Sequence, residues 1–371
     1  MSAAIPIYSG NDFYVPAFRI IVSGQTVPTT VAHDVTSVTF KDSLDTFDSV
    51  DLVLNNWDDA AAGATHFTYA VDDAAQYADL FAFDKDRTVD VWIGYQNVRS
   101  VQVFSGTVES IEPHYPAGSA PTLTVRAVDR LKRLKDQQHT KTWTDTSVAD
   151  MARAIASDHS LQINVTPRDD DEPQPYFFQQ NQYDIVFLMQ YARRMGYDLW
   201  IDPQGKLNLG PASQGATIVY KLGFHRSLID FAPRLSMNEQ VGKVQVSARD
   251  QESKGTFTAE AARAEIGLNA DLESFVSAEI RDKVKKVSNQ PLHANGQAKQ
   301  LAREMMRNVL EQMLTATVTC PGLPEIRSGR LVEITDVGSR FSGPYLVTSS
   351  THTLDDSGYK TAFTARREKT S

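Results

Sequence analysis

Cysteine is almost missing from this chain: Cys320 is the only one in 371 residues. That excludes an internal disulfide and points to synthesis in the cytosol. Set at the end of an apolar alternation, just before Pro321, it reads as a small buried hydrophobe ahead of a nucleophile. Long hydrophobic runs are missing as well. No stretch nears the ~18 apolar residues that mark a bilayer-spanning helix, and Met1-Ser2-Ala3-Ala4 lacks the basic-then-apolar order of a secretory leader. Positive charge is in deficit, with 37 Lys and Arg against 46 Asp and Glu and a formal charge of −9. A protein built to grip nucleic acid needs the opposite balance. A negative wall can still line a passage through which DNA slides without sticking.

The constellations of catalysis are missing too. There is no HExxH, CxxC, G-x-S-x-G or phosphate loop. The histidines, at 33, 66, 114, 139, 159, 225, 293 and 352, form no i, i+4 pair that would present two ligands on one helix face. Four adjacent carboxylates, Asp169, Asp170, Asp171 and Glu172, stand in a Pro-bearing loop over Arg168–Pro175. They lack EF-hand spacing, so a solvated loop is preferred to a cation site. Carboxylates abound, and any acidic chain offers pairs that resemble a glycosidase's. No catalytic, cofactor-binding or metal-binding residue is assigned, no cofactor is expected, and the chain reads as a non-enzyme.

What is present is β alternation, most clearly from Thr315 to Arg367, where four strands are expected at Thr315–Cys320, Gly329–Val337, Gly343–Leu354 and Gly358–Arg366. Turn residues separate them, and Gly358 suits the positive φ of a tight hairpin. Six further strands are expected between Phe18 and Asp136: Phe18–Val22, Val35–Lys41, Ser49–Asn55, Thr88–Tyr95, Val101–Pro113 and Thr122–Asp129. Phe104-Ser105-Gly106 and Phe341-Ser342-Gly343 occupy similar places in the two regions. The shared order of strand, F-S-G, strand, turn and strand implies an internal duplication of a small β-barrel.

Three domains follow. Residues 1–136 form a first β-barrel with an N-terminal arm and an Ala- and Asp-rich insertion at 57–83. Residues 137–211 form an α/β unit. There a helix begins at a Thr146 cap with Val148, Met151, Ala152 and Ile155 on its apolar face, and a second spans Tyr183–Met195, capped near Asn181 and stopped by Gly196. A hairpin of Tyr197–Ile201 and Lys206–Leu209 completes the unit, with Trp143 and Trp200 as its core aromatics. Residues 212–371 form a second barrel, interrupted by a polar insertion at 251–293 and a helix at 294–314, whose stripe is Ala298, Leu301, Ala302, Met305, Val309 and Met313. Deleting 251–293 is expected to leave the barrels folded. The basic cluster Arg130, Lys132, Arg133 and Lys135 reads as a solvated element end.

Several of these stretches resemble a known family. Phe18-Arg19-Ile20, Asp42-Ser43-Leu44-Asp45 and Val50–Asn56 are similar to the opening of phage late control protein D and VgrG-type tail hub proteins. So are Ser147-Val148-Ala149-Asp150, the run Gln179–Asp184, Gly196-Tyr197 and Leu199-Trp200-Ile201, and at the close Ala298–Ala302, Gly343-Pro344-Tyr345 and Thr361–Arg366. The resemblance implies an α+β, mainly β fold of two related small antiparallel barrels, with an α/β domain between them and a helical insertion in the second. It implies a structural baseplate hub of a contractile phage tail or tail-like injection particle, a homotrimer adapting the hexameric tail tube to the trimeric spike. The implied partners are tube, spike and other baseplate proteins and the tape measure protein, with DNA or effectors passing the lumen without specific binding. The place is the virion baseplate or injection particle, after synthesis in the host cytoplasm.

VgrG proteins continue into an OB-fold and a β-helix needle, whereas this chain shows no needle repeat, so the spike is expected on another chain. The segment 251–293 is a departure from the family pattern, and is expected to dock on the α/β unit or a baseplate neighbour. Strand edges in Val35–Lys41 and Gly329–Val337 are expected to pair across barrels. The alternatives are a tail-tip enzyme that cuts cell wall and a carbohydrate-binding adhesin displaying Trp57, Tyr69 and Tyr77.

Overall fold

The structure is a computed structural model that describes residues 15–57, 80–81, 87–96, 99–168, 171–211, 217–249, 255–288, 292 and 295–368. The arm before residue 15, Tyr69, Tyr77, Asp169 and Asp170 lie outside them.

The first region holds β1 (Pro16–Val22), β2 (Gln25–Thr26), α1 (Thr29–Asp34), β3 (Val35–Ser43), β4 (Ser49–Asn55), β5 (Thr88–Tyr95), β6 (Arg99–His114) and β7 (Thr122–Asp129). Alternation settles their faces: in β4, Val50, Leu52 and Leu54 are fully buried while Asp51, Val53 and Asn55 face outward, half-buried. A 3₁₀ turn over Arg130–Lys135 buries Leu131 and Leu134 and leaves its cations at the surface side, where Lys132 pairs with Glu109 at 3.0 Å.

The α/β unit contains β8 (Gln138–Thr146), α2 (Val148–Asp158), β9 (Ile163–Val165), β10 (Gln174–Tyr183), α3 (Asp184–Arg194), β11 (Asp198–Ile201) and β12 (Leu207–Gly210). β8 and β10 form an antiparallel ribbon, and β12 takes β9 as a parallel partner and β11 as an antiparallel one. The ribbon was not legible as strands, because β8 is polar on both faces, with threonines on one and Lys141 and Asp145 on the other, and only Trp143 within it is buried.

The helix starts differ from the expected caps. Thr146 ends β8 and turns its hydroxyl to the Thr144 carbonyl, so Ser147 caps α2, accepting from the Asp150 N–H at 3.1 Å. Asn181 sits in a β10 bulge at φ +45°, and the chain enters α3 directly from the strand with no side-chain cap. Gly196 closes α3 at φ +67° as expected. Trp143 belongs to the unit's core, but Trp200 packs outward against Leu44, just past β3, and against Leu331 and Leu346 of the large sheet.

The last region holds β13 (Ile218–Gly223), β14 (Asp230–Leu235), β15 (Lys243–Arg249), β16 (Thr256–Ala262), α4 (Arg263–Ile266), α5 (Ala278–Asp282), β17 (Val284–Val287), α6 (Asn295–Glu311), β18 (Leu314–Pro321), β19 (Leu331–Thr335), β20 (Gly343–Asp355) and β21 (Gly358–Arg367). Segment 251–293 is more than a polar insertion. It supplies β16 and β17, which flank β15 in a three-stranded sheet, and α6 packs on that sheet through Ala298, Ala302, Met306 and Leu310. The alternation of β16 is faint in the sequence because its buried residues are alanines, Ala259 and Ala261. Towards the α/β unit, α6 pairs Glu304 with Arg168 at 3.0 Å, and Leu292 of the segment lines one cavity with Val148, Phe177 and Met195 of that unit.

One large, mainly antiparallel sheet unites the two outer regions in the order β14-β18-β21-β20-β3-β4-β7-β6-β5-β1-β2, with β19 and β13 continuing from β20. The order is a repeat. The first region runs β1-β5-β6-β7-β4-β3 and the second β13-β19-β20-β21-β18-β14, the same permutation of six strands in chain order. Register agrees as well. Thr88 opposes Thr107 as Leu331 opposes Leu346, Val108 opposes Ala127 as Val347 opposes Ala365, and a bulge follows at Glu109 and at Thr348. One pairing differs: β1 and β5 are antiparallel, β13 and β19 parallel.

The F-S-G motifs are not equivalent in this repeat. Counting back three residues from Thr107 and from Leu346 sets Phe104 against Gly343, so the matched letters are two residues out of step. Gly106 is required for its own reason, since a Cβ there would collide with the Val128 carbonyl and the Phe104 ring. Among the described residues no ladder joins β1 to β3 or β13 to β14, so neither half is closed by hydrogen bonds into a barrel. The expected pairing of Val35–Lys41 across regions occurs, but within one chain and with β20; β19 lies between β13 and β20.

Candidate functional site at the seam between the two regions

The seam is the β3–β20 ladder, where Ser349–Leu354 runs antiparallel to Val38–Ser43. The inward face of β3 places Val38, Phe40 and Asp42 in one row, so an acid falls where the alternation calls for an apolar residue. Asp42 is buried and its oxygens are saturated. Oδ2 accepts from Arg327 Nε at 3.2 Å, from the Ser328 N–H at 2.8 Å and from the Ser328 hydroxyl; Oδ1 accepts from the Ser350 N–H at 3.1 Å and from the Ser350 hydroxyl.

Arg327 reaches a second acid, donating from Nη2 to Asp48 Oδ2 at 3.0 Å, and lies over the Phe40 ring at 4.9 Å. The Asp48 N–H in turn donates to Asp129 Oδ2 at 2.6 Å, and Asp129 Oδ1 accepts from Leu131 at the start of the 3₁₀ turn. One guanidinium thus bonds two buried carboxyls and acts on the third, Asp129, only through its charge, and the three cannot all ionise. Burial, reinforced by the Asp42 charge, pushes the Asp48 carboxyl well above the ordinary range, and burial pushes Asp129 up to about 7 despite its backbone donors.

His352 closes the cluster on the β20 side, its ring stacked on Phe40 with centroids 5.7 Å apart. Nε2 faces the Ile326 carbonyl at 2.8 Å and so carries the proton, which leaves Nδ1 to accept from the Tyr359 hydroxyl at 2.8 Å. Burial lowers its pKa to about 4, so the ring is neutral. Tyr359 packs at a tilt of 44° against Tyr95 of β5, whose hydroxyl donates to the Gly322 carbonyl at 2.8 Å, a second tie between the regions.

A second polar cluster fixes the α/β unit. Asp184, the first residue of α3, accepts from Gln179 Nε2 at 2.7 Å, meets His159 Nε2 at 2.7 Å and His139 Nδ1 at 3.0 Å. Burial raises its pKa, but these hydrogen bonds outweigh burial and hold it below the ordinary carboxylate range. Asp171 of the acidic loop caps α2, taking the Val148 and Ala149 N–H groups at 3.1 and 2.9 Å. Its neighbour Tyr197 donates to the same carboxylate, which accounts for one of the four loop acids as a helix cap.

Each of these acids is already engaged by several donors, so the clusters act as ties between elements. Cys320 is fully buried and burial pushes its thiol up, away from the nucleophilic thiolate. It sits in β18 where Leu54 sits in β4, facing Thr361 as Leu54 faces Leu123. No group of three or more His, Cys, Asp or Glu poised for a metal is found among the described residues.

Comparison with known proteins agrees with this architecture. The prophage MuSo2 43 kDa tail protein of Shewanella oneidensis superposes with a TM-score of 0.70 at 17% identity, covering 95% of this chain and 98% of that one. A tail protein of Neisseria meningitidis MC58 gives a TM-score of 0.69 at 14% identity over 96% and 97%. An Escherichia coli type VI secretion component, c3393, gives 0.57 at 12% identity over 94% and 77%. These likenesses establish the fold, and the resemblance to tail hub and VgrG-type proteins holds at that level.

The "Probable baseplate hub protein" of Escherichia phage P2 is 29% identical over 127 residues, 34% of this chain. That alignment spans about a third, 32%, of the curated relative's length. The model of the Alg8 N-terminal domain family matches residues 14–356, and the chain belongs to that family.

Proposed function

We propose that this chain is a structural hub of a contractile phage tail or tail-like injection particle, with no reaction of its own. The observation that carries the reading is the six-strand permutation used twice in one chain and fused across β3–β20. Likeness to phage tail proteins over nearly the whole chain supports it. Three copies of a chain with two like units present six, which fits a hexameric tube on one side and a trimeric spike on the other.

In that assembly residues 1–136 and 212–371 act as two barrel-like units and 137–211 as the α/β unit between them. The excess of acid over base suits a lumen that lets DNA or an effector pass. The particle's tube, spike and further baseplate proteins are its partners, met after synthesis in the host cytoplasm.

Native mass spectrometry of the chain mixed with the tube and spike proteins of its own particle tests this. The expected species contains three copies of this chain, and negative-stain images show a ring with a central hole. A chain that stays monomeric with both partners present overturns the reading.

A further inference from the structure

We propose that a second copy of this chain adds its β14 edge to β6 at Ser110–His114, repeating between subunits the joint that β3 and β20 make within one. The inference deepens the ring assembly proposed above and rests on it.

Within the chain, β3 pairs with the part of β20 that projects beyond β19, Ser349–Leu354, while β21 occupies the other side of that stretch. The repeat supplies a counterpart for each partner. Beyond its own bulge, β6 continues through Ser110–His114 with β7 on one side. On the other side no strand lies among the described residues, because β5 reaches only Thr107. The counterpart of β3 is β14, since Phe40 opposes Val50 as Pro233 opposes Ala316. Among the described residues β14 is paired by β18 alone.

Laying the β3–β20 register on these two edges sets Ile111 opposite Leu235 and Glu112 opposite Arg234. Apolar meets apolar and opposite charges meet. Ile111 and Leu235 are half-buried at the rims of their cores, and Glu112 and Arg234 are exposed. Cross-strand pairs of these kinds stabilise a ladder.

Two differences make the joint weaker than the internal one. Asp42, the centre of the internal tie, corresponds to Leu235, so the buried ionic tie has no counterpart. Pro113 falls opposite Pro233, where the internal joint sets His352 opposite Phe40, and neither proline has an N–H to donate. Edge prolines also keep an open strand from pairing indiscriminately. Since one edge gives and the other receives, the contact runs head to tail and closes a ring of copies, not a two-fold dimer.

The test uses the full chain carrying Ile111→Cys and Leu235→Cys together. Mild oxidation is expected to link copies covalently, while either single variant gives none, because Ile111 of one copy meets Leu235 of the next. Cys320 is buried and does not compete. In parallel, Glu112→Arg is expected to reduce the assembled fraction by more than about tenfold, and adding Arg234→Glu to restore it. Equal linking by the single variants, or an assembled double-cysteine ring without links, overturns the proposal, as does a chain that is monomeric at every concentration with or without tube and spike. A linked ring that ignores tube and spike overturns the hub reading and leaves this joint standing. A ring bound to both without links does the reverse.

Discussion

Arg327 and Asp42 are 285 residues apart in the chain, and the Arg327 Nε–H donates to Asp42 Oδ2 at 3.2 Å. Both are buried, so the pair is shielded from salt and water, and removing one partner strands a charge. Arg327→Met is therefore expected to cost about 3–5 kcal/mol of stability. Urea denaturation followed by tryptophan fluorescence measures this. A loss under about 1 kcal/mol, the range of exposed pairs, would show that the tie contributes little.

The seam also gives stability a pH dependence whose parts have opposite signs. Asp129 is pushed by burial up to about 7 from an ordinary 3.8, so between those values the folded chain holds a proton that the unfolded chain has released. Its contribution is present at low pH and lost as pH rises towards 7, by at most about 1.4 kcal/mol per pH unit. Asp48, raised for the same reason, acts in the same direction. His352 is lowered by burial to about 4 from 6.5, so its contribution is full above 6.5 and lost as pH falls towards 4. Relative to wild type, Asp129→Asn should gain stability steadily from pH 4.5 to 6.5, and His352→Gln should lose it over the same window. Denaturation midpoints across that range decide it; parallel curves for wild type and variant would remove the titration from either group.

Strand positions were legible because one face of each is apolar and the other polar, as in β4, β5 and β7, whose bounds match the alternation residue for residue. The duplication was legible too, although the letters that suggested it lie out of register. What the alternation hid was polar residues on the inward face. Asp42 follows Val38 and Phe40 with period two, and His352 sits between Ser350 and Leu354 in the same way. An acid or imidazole in that phase is a signal of a buried polar contact, but its partner cannot be read, because Arg327 lies in an irregular segment hundreds of residues away. Asp184, His139 and His159 escaped for a similar reason: three separate elements bring them together.

The capping of α2 separates two adjacent hydroxyls. Ser147 accepts from the Asp150 N–H, whereas Thr146 bonds its own strand's carbonyl at Thr144. Ser147→Ala is expected to cost about 1 kcal/mol, and Thr146→Ala a few tenths. Asp171→Ala removes an acceptor for two further N–H groups and should cost at least as much as Ser147→Ala. Thermal melts of the three single variants rank them. A larger loss at Thr146 than at Ser147 would reverse the assignment.

The 251–293 segment behaves differently from a dispensable insertion. Removing it takes away β16 and β17, both partners of β15, and uncovers the apolar face of α6 at Ala298, Ala302 and Met306. It also takes Leu272 and Val276 from the core of the last region. Exposing that much apolar surface favours aggregation, so the deletion is expected to abolish soluble protein. The ends of the larger excursion, by contrast, are already joined: the Ser236 N–H donates to the Met313 carbonyl at 2.9 Å, and Leu235 opposes Leu314 in the β14–β18 ladder. Replacing 237–312 with a two-residue turn would convert the excursion into a hairpin and leave every ladder of the large sheet intact. That variant should be soluble and melt cooperatively, less stable than the parent by the core contacts of Leu272 and Val276 and by the α6 ion pairs to Arg168 and Arg366. Soluble expression and circular dichroism of both deletions test the argument, and a soluble, cooperative 251–293 deletion would show that β15 and α6 need no partner strands.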